Sequence, residues 1–503
     1  MENRVYGKTM ELNDIFEARF VRNRSRLLFG LFCLSVLVRF LTAEYVEYGG
    51  DCVHLWINIR RVLDGLSFNA WNHHTMRWAI NLPLLGVVKL FGPHPQVYYI
   101  LPTLYASVAA VLFYLIGERL HGPRLGFWTS LLSILYPQMT QTGSQIWPGV
   151  FELTYIAACV WLLLVWLDEN RLKWLVLAGV AFVLAWASRV TAVYFLPGLV
   201  LLIWLPERRF KPVLVFGAVI ASLCFVELLY FWADTGNILG RVGVIKSTHG
   251  SQTELLVTPA KYLLRAKGFL KLRGLFGVLV ASIGACWFAW KGGDRRVRAV
   301  AVLFLVHVFL EAYMISGLNP FKVAQPLGTR YHTVAAPYGI LLLLLALERL
   351  DGRRRRVKTT LLGLLLAAFT FFSFQKIPAT LSVLQMTRDN RILSQALAGR
   401  SSILVRYTPW EPNWIEARVM RLFGYSGRRK NLGADEVLRF MGKNRARIYA
   451  LYAPDIRIPV QKVLPEMSKR SKYEYVLSAS EREEPHVGVE FGRKAFKAFP
   501  LPQ

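Results

Sequence analysis

Between Glu44 and Trp78 the chain reads EYVEYGGDCVHLWINIRRVLDGLSFNAWNHHTMRW, a concentration of carboxyl, amide, imidazole, guanidinium and indole groups. A carboxylate held near a substrate hydroxyl can act as its general base. Asp51 is the candidate, because the preceding Gly49-Gly50 pair lets the backbone turn sharply and aim that side chain. Two later segments carry complementary chemistry. TGSQIWPGVFE holds Glu152, and NPFKVAQPLGTRYHTVAAP holds Lys322, Arg330 and Tyr331. An arginine binds phosphate through two parallel N–H donors, and a neighbouring lysine or phenol adds further donors. The same stretch carries His73, His74, Arg77 and Trp78, hydrogen-bonding and aromatic groups, with Trp56 and Trp71 as further indoles.

Each group also has a plain structural reading. Asp51 would serve as a solvated loop acid, Glu152 as an acid complementing a helix N-terminus after Pro148-Gly149, and Arg330 as a basic anchor at the end of an apolar segment. His54, His73 and His74 with Asp51 could surround a divalent ion. Adjacent histidines rarely share one metal, however, and no HxxxH spacing occurs. No metal ligand and no cofactor are assigned; a divalent metal at that cluster is the alternative left open. The five cysteines are scattered without CxxC spacing, so they define neither a disulfide framework nor a zinc site.

The elements that must position these groups are apolar helices. With 54% hydrophobic and 18% charged residues over 503 positions, the chain falls in the membrane class. Apolar segments close to the ~20 residues that cross ~30 Å of hydrocarbon recur from Leu27 to Phe374. We place them near 27–46, 97–117, 125–142, 151–167, 174–188, 191–205, 212–232, 274–290, 299–316, 334–349 and 359–375, about eleven transmembrane helices. Ile80 to Phe91 is short and interrupted by Pro83 and Lys89, and we read it as an interfacial or re-entrant piece of the 43–96 loop. Charge bias supports that choice: ERLHGPR, DENRLK, PERRFK, KGGDRRVR and ERLDGRRRRVK then all fall on the side of the N-terminal arm, as the positive-inside rule requires of cytoplasmic loops. Counting Ile80 to Phe91 as a span would move every one of them outside. The net charge of +29 therefore reflects topology rather than nucleic-acid binding. Arg189, at the outer end of a span, is explained by snorkelling; Arg39 lies deeper, as a weaker candidate for a phosphate contact. PAKYLLRAKGFLKLR, 259–273, has the spacing of an amphipathic surface helix.

The organisation expected is a cytoplasmic arm over 1–26, a membrane domain over 27–375 and a soluble extracytoplasmic domain over 376–503. In the last, helical periods at 379–399 and 434–442 alternate with the strand-like runs SILVRY, RIYALYA, YEYVLS and VGVEF, which suggests a small α/β unit. That domain carries 23 Lys/Arg against 12 Asp/Glu, a surface suited to anionic lipid or polysaccharide.

With these residues in view, the chain resembles the GT-C membrane glycosyltransferases, and in particular the dolichyl-phosphate-mannose protein mannosyltransferase-like family that includes bacterial lipid A aminoarabinose transferases. The resemblance rests on GGDCVHLWINIRRVLDG with Asp51 at the first-loop acid, INLPLLGVVKLFG, GERLHGPRLG, QIWPGVFE with Glu152 near the second outer acid, and TRYHTVAAP with Arg330 and Tyr331, in that order. Cys52 stands where the family often has another acid. The resemblance implies transfer of a hexose or pentose from a polyprenyl-phosphate donor to an extracytoplasmic glycolipid, polysaccharide or protein, in the inner membrane with the site on the periplasmic side. Asp51 would be catalytic; Arg330, Tyr331 and Lys322 would bind the donor phosphate; Glu152, His73, His74, Arg77 and Trp78 would bind acceptor or sugar. The rival reading is a transporter or flippase of a lipid-linked glycan, which calls for inverted repeats and mid-membrane ionisable groups.

Overall fold

The computed structural model describes residues 23–42, 55, 59, 62–63, 74, 76–92, 95–143, 146–249, 256–264, 275–318, 321–324, 331–349 and 355–374, together with five short strands after residue 400. The chain divides into two compact units, Met1–Ala43 with Asn69–Lys376, and Glu44–Phe68 with Ile377–Gln503.

The first unit is helical. In order it contains α1 (Arg24–Leu41), α2 (Trp78–Phe91), α3 (Ile100–His121), α4 (Pro123–Leu135), α5 (Pro137–Gly143), α6 (Pro148–Glu169), α7 (Leu172–Ser188), a 3₁₀ turn (Val190–Phe195), α8 (Leu196–Glu207), α9 (Phe210–Thr235), α10 (Gly240–His249), α11 (Pro259–Leu263), α12 (Leu275–Gly292), α13 (Arg295–Tyr313), a β1 (Ile315–Leu318) and β2 (Phe321–Val323) hairpin, α14 (Ala336–Glu348) and α15 (Arg355–Phe374). Their starts follow local chemistry. Pro123 and Pro148 open helices where a missing N–H costs nothing. Asp294 caps α13 by accepting from the Val297 N–H at 2.8 Å.

A helix stands at each expected apolar segment. By length and composition, Val97–His121, Pro148–Glu169, Phe210–Thr235 and Val357–Phe374 can cross a membrane. The 125–142 segment departs from expectation, because it is broken. Pro137 forces Tyr136 into extended backbone (ψ 122°), so α4 stops at Leu135 and α5 starts afresh. Of the expected 259–273 surface helix, Pro259–Leu263 is helical and 265–273 lie outside the described residues.

Helix α6 is apolar on every side and mostly buried, whereas α9 and α15 bury 11% of their apolar windows. A helix hydrophobic all round belongs in the interior, and the others offer their apolar faces to lipid. Backbones touch at glycines. A Cβ on Gly126 would lie 2.4 Å from the Tyr114 carbonyl oxygen in α3, and one on Gly198 would lie 2.3 Å from Leu303 Cα in α13. Gly198→Val should therefore destabilise the bundle by ~1–3 kcal/mol, seen as a lower unfolding temperature in detergent. Gly217→Val, whose added carbon meets nothing within 4 Å, is the control that should not.

The basic turns gather at one end of this unit. Asp168 is shared by Arg119 (3.4 Å) and Arg296 (2.6 Å), and Glu348 by Arg124 (3.7 Å) and Lys358. Arg24 at the start of α1 meets Glu118 near the end of α3 at 2.6 Å. Helices α1 and α3 are thus antiparallel, and the connection that contains α2 leaves and re-enters at the opposite end. With 14 residues, α2 is ~21 Å long, short of the ~30 Å of hydrocarbon.

In the second unit the described strands are β3 (Ser402–Tyr407), β4 (Arg447–Leu451), β5 (Glu474–Ser478), β6 (Val487–Phe491) and β7 (Phe496–Pro500), in the order β4-β5-β3-β6-β7. Strands β3 and β6 are parallel, with Val405 opposite Val489; the other pairs are antiparallel. Four of these were expected. Strand β7 was not, and its Pro500 is tolerated because this is an edge strand. The expected helices at 379–399 and 434–442 lie outside the described residues.

Candidate active site

At the end of the helical unit away from the basic turns, three ionisable side chains from three elements meet. Glu152, in the first turns of α6, has no solvent exposure, and its Oε1 accepts from the Thr191 hydroxyl at 2.8 Å. Its Oε2 faces Arg189 Nη1 at 3.3 Å, while Arg189 Nη2 faces Oε1 of Glu311 at 3.4 Å. Glu311 lies in the last turn of α13 and is equally buried. One guanidinium is therefore divided between two carboxylates.

The backbone explains how Arg189 reaches both. It follows Ser188, the last residue of α7, in extended conformation (φ −159°, ψ 130°), which throws its side chain across the bundle before the 3₁₀ turn carries the chain back. The ring of Tyr331 covers its guanidinium at 4.9 Å, a cation–π contact strengthened by burial. His307, one turn before Glu311, stacks on Phe195 with ring centroids 3.9 Å apart. Arg77, buried just before α2, acts electrostatically on Glu152. Beside them Arg241 of α10 donates to the Ala187 carbonyl at 2.8 Å and to that of Trp186, and pairs with Glu227 at 3.2 Å. Burial pushes its guanidinium down to about 10, so it stays charged at neutral pH and caps the α7 carbonyls immediately before Arg189.

Of the expected site residues, Glu152, Arg77 and Tyr331 come together here. His74 is buried next to α2, its carbonyl accepting from Asn81 Nδ2 at 3.2 Å, and Trp78 opens that helix. Lys322 lies on β2, opposite Gly317 and bridged to Leu256. Asp51, His73 and Arg330 lie outside the described residues. Among the described residues no cluster of three or more His, Cys, Asp or Glu could hold a metal ion; Asp51, His54 and His73 were not among them.

Two expectations about arginine change. Arg189 does not snorkel: its side chain is 11% exposed and its charge is spent on Glu152 and Glu311. Arg39 is fully buried and donates to the Ile134 carbonyl at 2.9 Å, capping α4 where Pro137 has ended it. Glu311 and His307 were missed. The signal was present, since RRVRAVAVLFLVHVFLEAY places one histidine and one glutamate four residues apart in an otherwise apolar helix, and intramembrane ionisable residues are functional candidates by default.

Residues 77–232 match the family described as dolichyl-phosphate-mannose-protein mannosyltransferase. No curated protein matches the chain. Among solved structures, ArnT from Cupriavidus metallidurans bound to undecaprenyl phosphate shares 11% identity at a TM-score of 0.57, over 90% of this chain and 97% of that one. Its apo form gives 0.56 at 11%, over 91% and 98%. The archaeal oligosaccharyltransferase AglB from Archaeoglobus fulgidus gives 0.45 at 12%, over 72% and 56%. The chain shares the fold of ArnT, and its apolar helices are those of an integral membrane protein. Within it, the segment bearing Arg77, Glu152, Arg189 and Thr191 is related to the dolichyl-phosphate-mannose-protein mannosyltransferases, as the motifs led us to expect.

Proposed function

We propose that this protein transfers a hexose or pentose from a polyprenyl-phosphate donor to an extracytoplasmic acceptor. The observation that carries the reading is the buried Glu152–Arg189–Glu311 cluster. It lies at the end opposite the basic turns, and two of its members fall within the segment related to a lipid-linked-sugar transferase family. Under the positive-inside rule the basic end faces the cytoplasm. The membrane domain over 27–375 then crosses the inner membrane eleven times, with the cluster and the 376–503 domain, an α/β unit in this reading, on the periplasmic side.

In this reaction Asp51 takes the proton from the acceptor hydroxyl as its oxygen attacks the anomeric carbon. The bond from that carbon to the phosphate oxygen breaks, and the lipid phosphate leaves as an anion. Arg330, with Lys322 and Tyr331, meets the charge that develops there, where preorganised donors contribute most. Arg77, His73, His74 and Trp78, with Glu152, position the sugar or acceptor. In ArnT the occupant of the structure is undecaprenyl phosphate, the product such a reaction leaves behind.

The test uses membranes containing the full chain and a polyprenyl-phosphate sugar labelled in the sugar. Expected is label passing to an extracytoplasmic glycan, lipid or protein, with free polyprenyl phosphate formed in equal amount. Label that crosses the bilayer while still attached to its lipid would instead identify a flippase.

A further inference from the structure

We propose that Glu311 and His307 form a proton-holding pair that keeps Arg189 on Glu152. The proposal deepens the transferase reading by adding a regulatory device to the same site, and it rests on that reading only for its kinetic readout.

The first ground is charge. Glu152 and Glu311 are both without solvent exposure and share one guanidinium. Arg77 adds a positive field at Glu152, but the cation acting on Glu311 among the described residues is Arg189. Two carboxylates competing for one cation in a water-poor site do not both ionise readily. One proton held at Glu311 removes the conflict and leaves Arg189 to Glu152, whose other oxygen already has the Thr191 hydroxyl.

The second ground is hydrogen bonding. Oε2 of Glu311 and both ring nitrogens of the fully buried His307 have no hydrogen-bond partner among the described residues. Orphaned buried groups of this kind are costly. Four residues apart on one helix, the two side chains lie on the same face with Cβ atoms ~5–6 Å apart. A protonated Glu311 supplies a donor and neutral His307 an acceptor, which one water between them would join. Stacking on Phe195 fixes the imidazole plane. The other titratable groups acting on the pair are Arg189 from the end of α7, Glu152 from α6, Tyr194 from the 3₁₀ turn and His332 from the turn before α14.

The consequence has a definite sign. Raising the pH removes the shared proton, Glu311 becomes a full competitor for Arg189, and the Arg189–Glu152 pairing weakens. Sugar transfer should fall on the alkaline side, and this fall should disappear when residue 311 cannot ionise.

Purified full-length protein in lipid nanodiscs would be titrated by infrared difference spectroscopy in parallel with pH profiles of transfer. A protonated-carboxyl band that persists above neutral pH is expected in the wild type, absent in Glu311→Gln and shifted in His307→Gln, which retains hydrogen-bonding capacity. In the kinetic arm, Glu311→Gln should lack the alkaline limb of kcat, with the donor KM moving less than ~3-fold. Glu311→Ala, which loses the hydrogen bond as well, should lower kcat by ~10-fold or more. No protonated-carboxyl band in the wild type, or a band unmoved by both Gln substitutions, overturns the proposal. So does a Glu311→Gln protein that keeps the wild-type alkaline limb. Absence of transfer by the wild type from any polyprenyl-phosphate sugar would defeat the transferase reading, while the infrared titration would still decide the proton-holding pair.

Discussion

Arg189→Met should be among the most damaging single substitutions in the helical unit, costing ~3–5 kcal/mol. It leaves Glu152 and Glu311, both without solvent exposure, without the cation they share. Removing one member of a buried charge group is far worse than removing all of it, because the survivors keep their desolvation penalty and lose its compensation. The apparent unfolding temperature in detergent should drop by more than ~5 °C, and lowering the pH should recover part of the loss, since protonated carboxyls no longer need the guanidinium. The sign follows from burial: stability lost because carboxylate charge in the cluster has no cation returns as that charge takes up protons. The triple change of Arg189→Met with Glu152→Gln and Glu311→Gln should be more stable than Arg189→Met alone. Equal melting of the wild type and Arg189→Met would show that the guanidinium contributes nothing net.

Asp51→Asn should reduce kcat for sugar transfer by ~10²–10⁴-fold, the range lost with a positioned general base, while the donor KM changes little. The amide keeps the shape and one hydrogen-bond acceptor but cannot take the acceptor's proton at neutral pH. Cys52→Ala, next in sequence, is the comparison that should leave transfer within ~3-fold if the first-loop chemistry belongs to Asp51. Measuring initial rates with labelled polyprenyl-phosphate sugar separates the two constants. Transfer by Asp51→Asn at the wild-type rate would remove Asp51 from the role of base.

The two experiments address different residues of the proposed reaction. Asp51 belongs to the polar Glu44–Trp78 stretch, whereas the Glu152–Arg189–Glu311 cluster is built on helices α6, α7 and α13. The tight approach of Gly198 to Leu303 holds α13 against α8, just beyond the 3₁₀ turn that carries Thr191. A change in that packing should reach the cluster through the position of Glu311.

Much of the architecture was readable in one dimension. Apolar length marks a helix wherever it occurs, and Lys and Arg in short turns mark one end of a bundle; neither needs a contact partner to be recognised. That is why the apolar segments were found, and why SILVRY and VGVEF could be read as strands. Glu152 and Tyr331 were picked out for a similar reason, as polar groups next to apolar segments. The break at Tyr136 was also local in cause, carried by Pro137, yet hydropathy averaged over the segment concealed it.

What only the tertiary structure decided is which charges share a site. Arg189 and Glu311 are 122 positions apart, and nothing in the local composition of either predicts the other. Arg189 looked like a snorkelling residue because its span end is apolar; whether a long cationic side chain reaches water or a buried carboxylate depends on what packs beside it. Glu311 and His307 looked like two interruptions in an apolar helix. Packing of α13 against the end of α7 and the 3₁₀ turn turns them into part of a charge cluster, because in a medium that solvates charge poorly each ionised group must find its counter-charge in the protein.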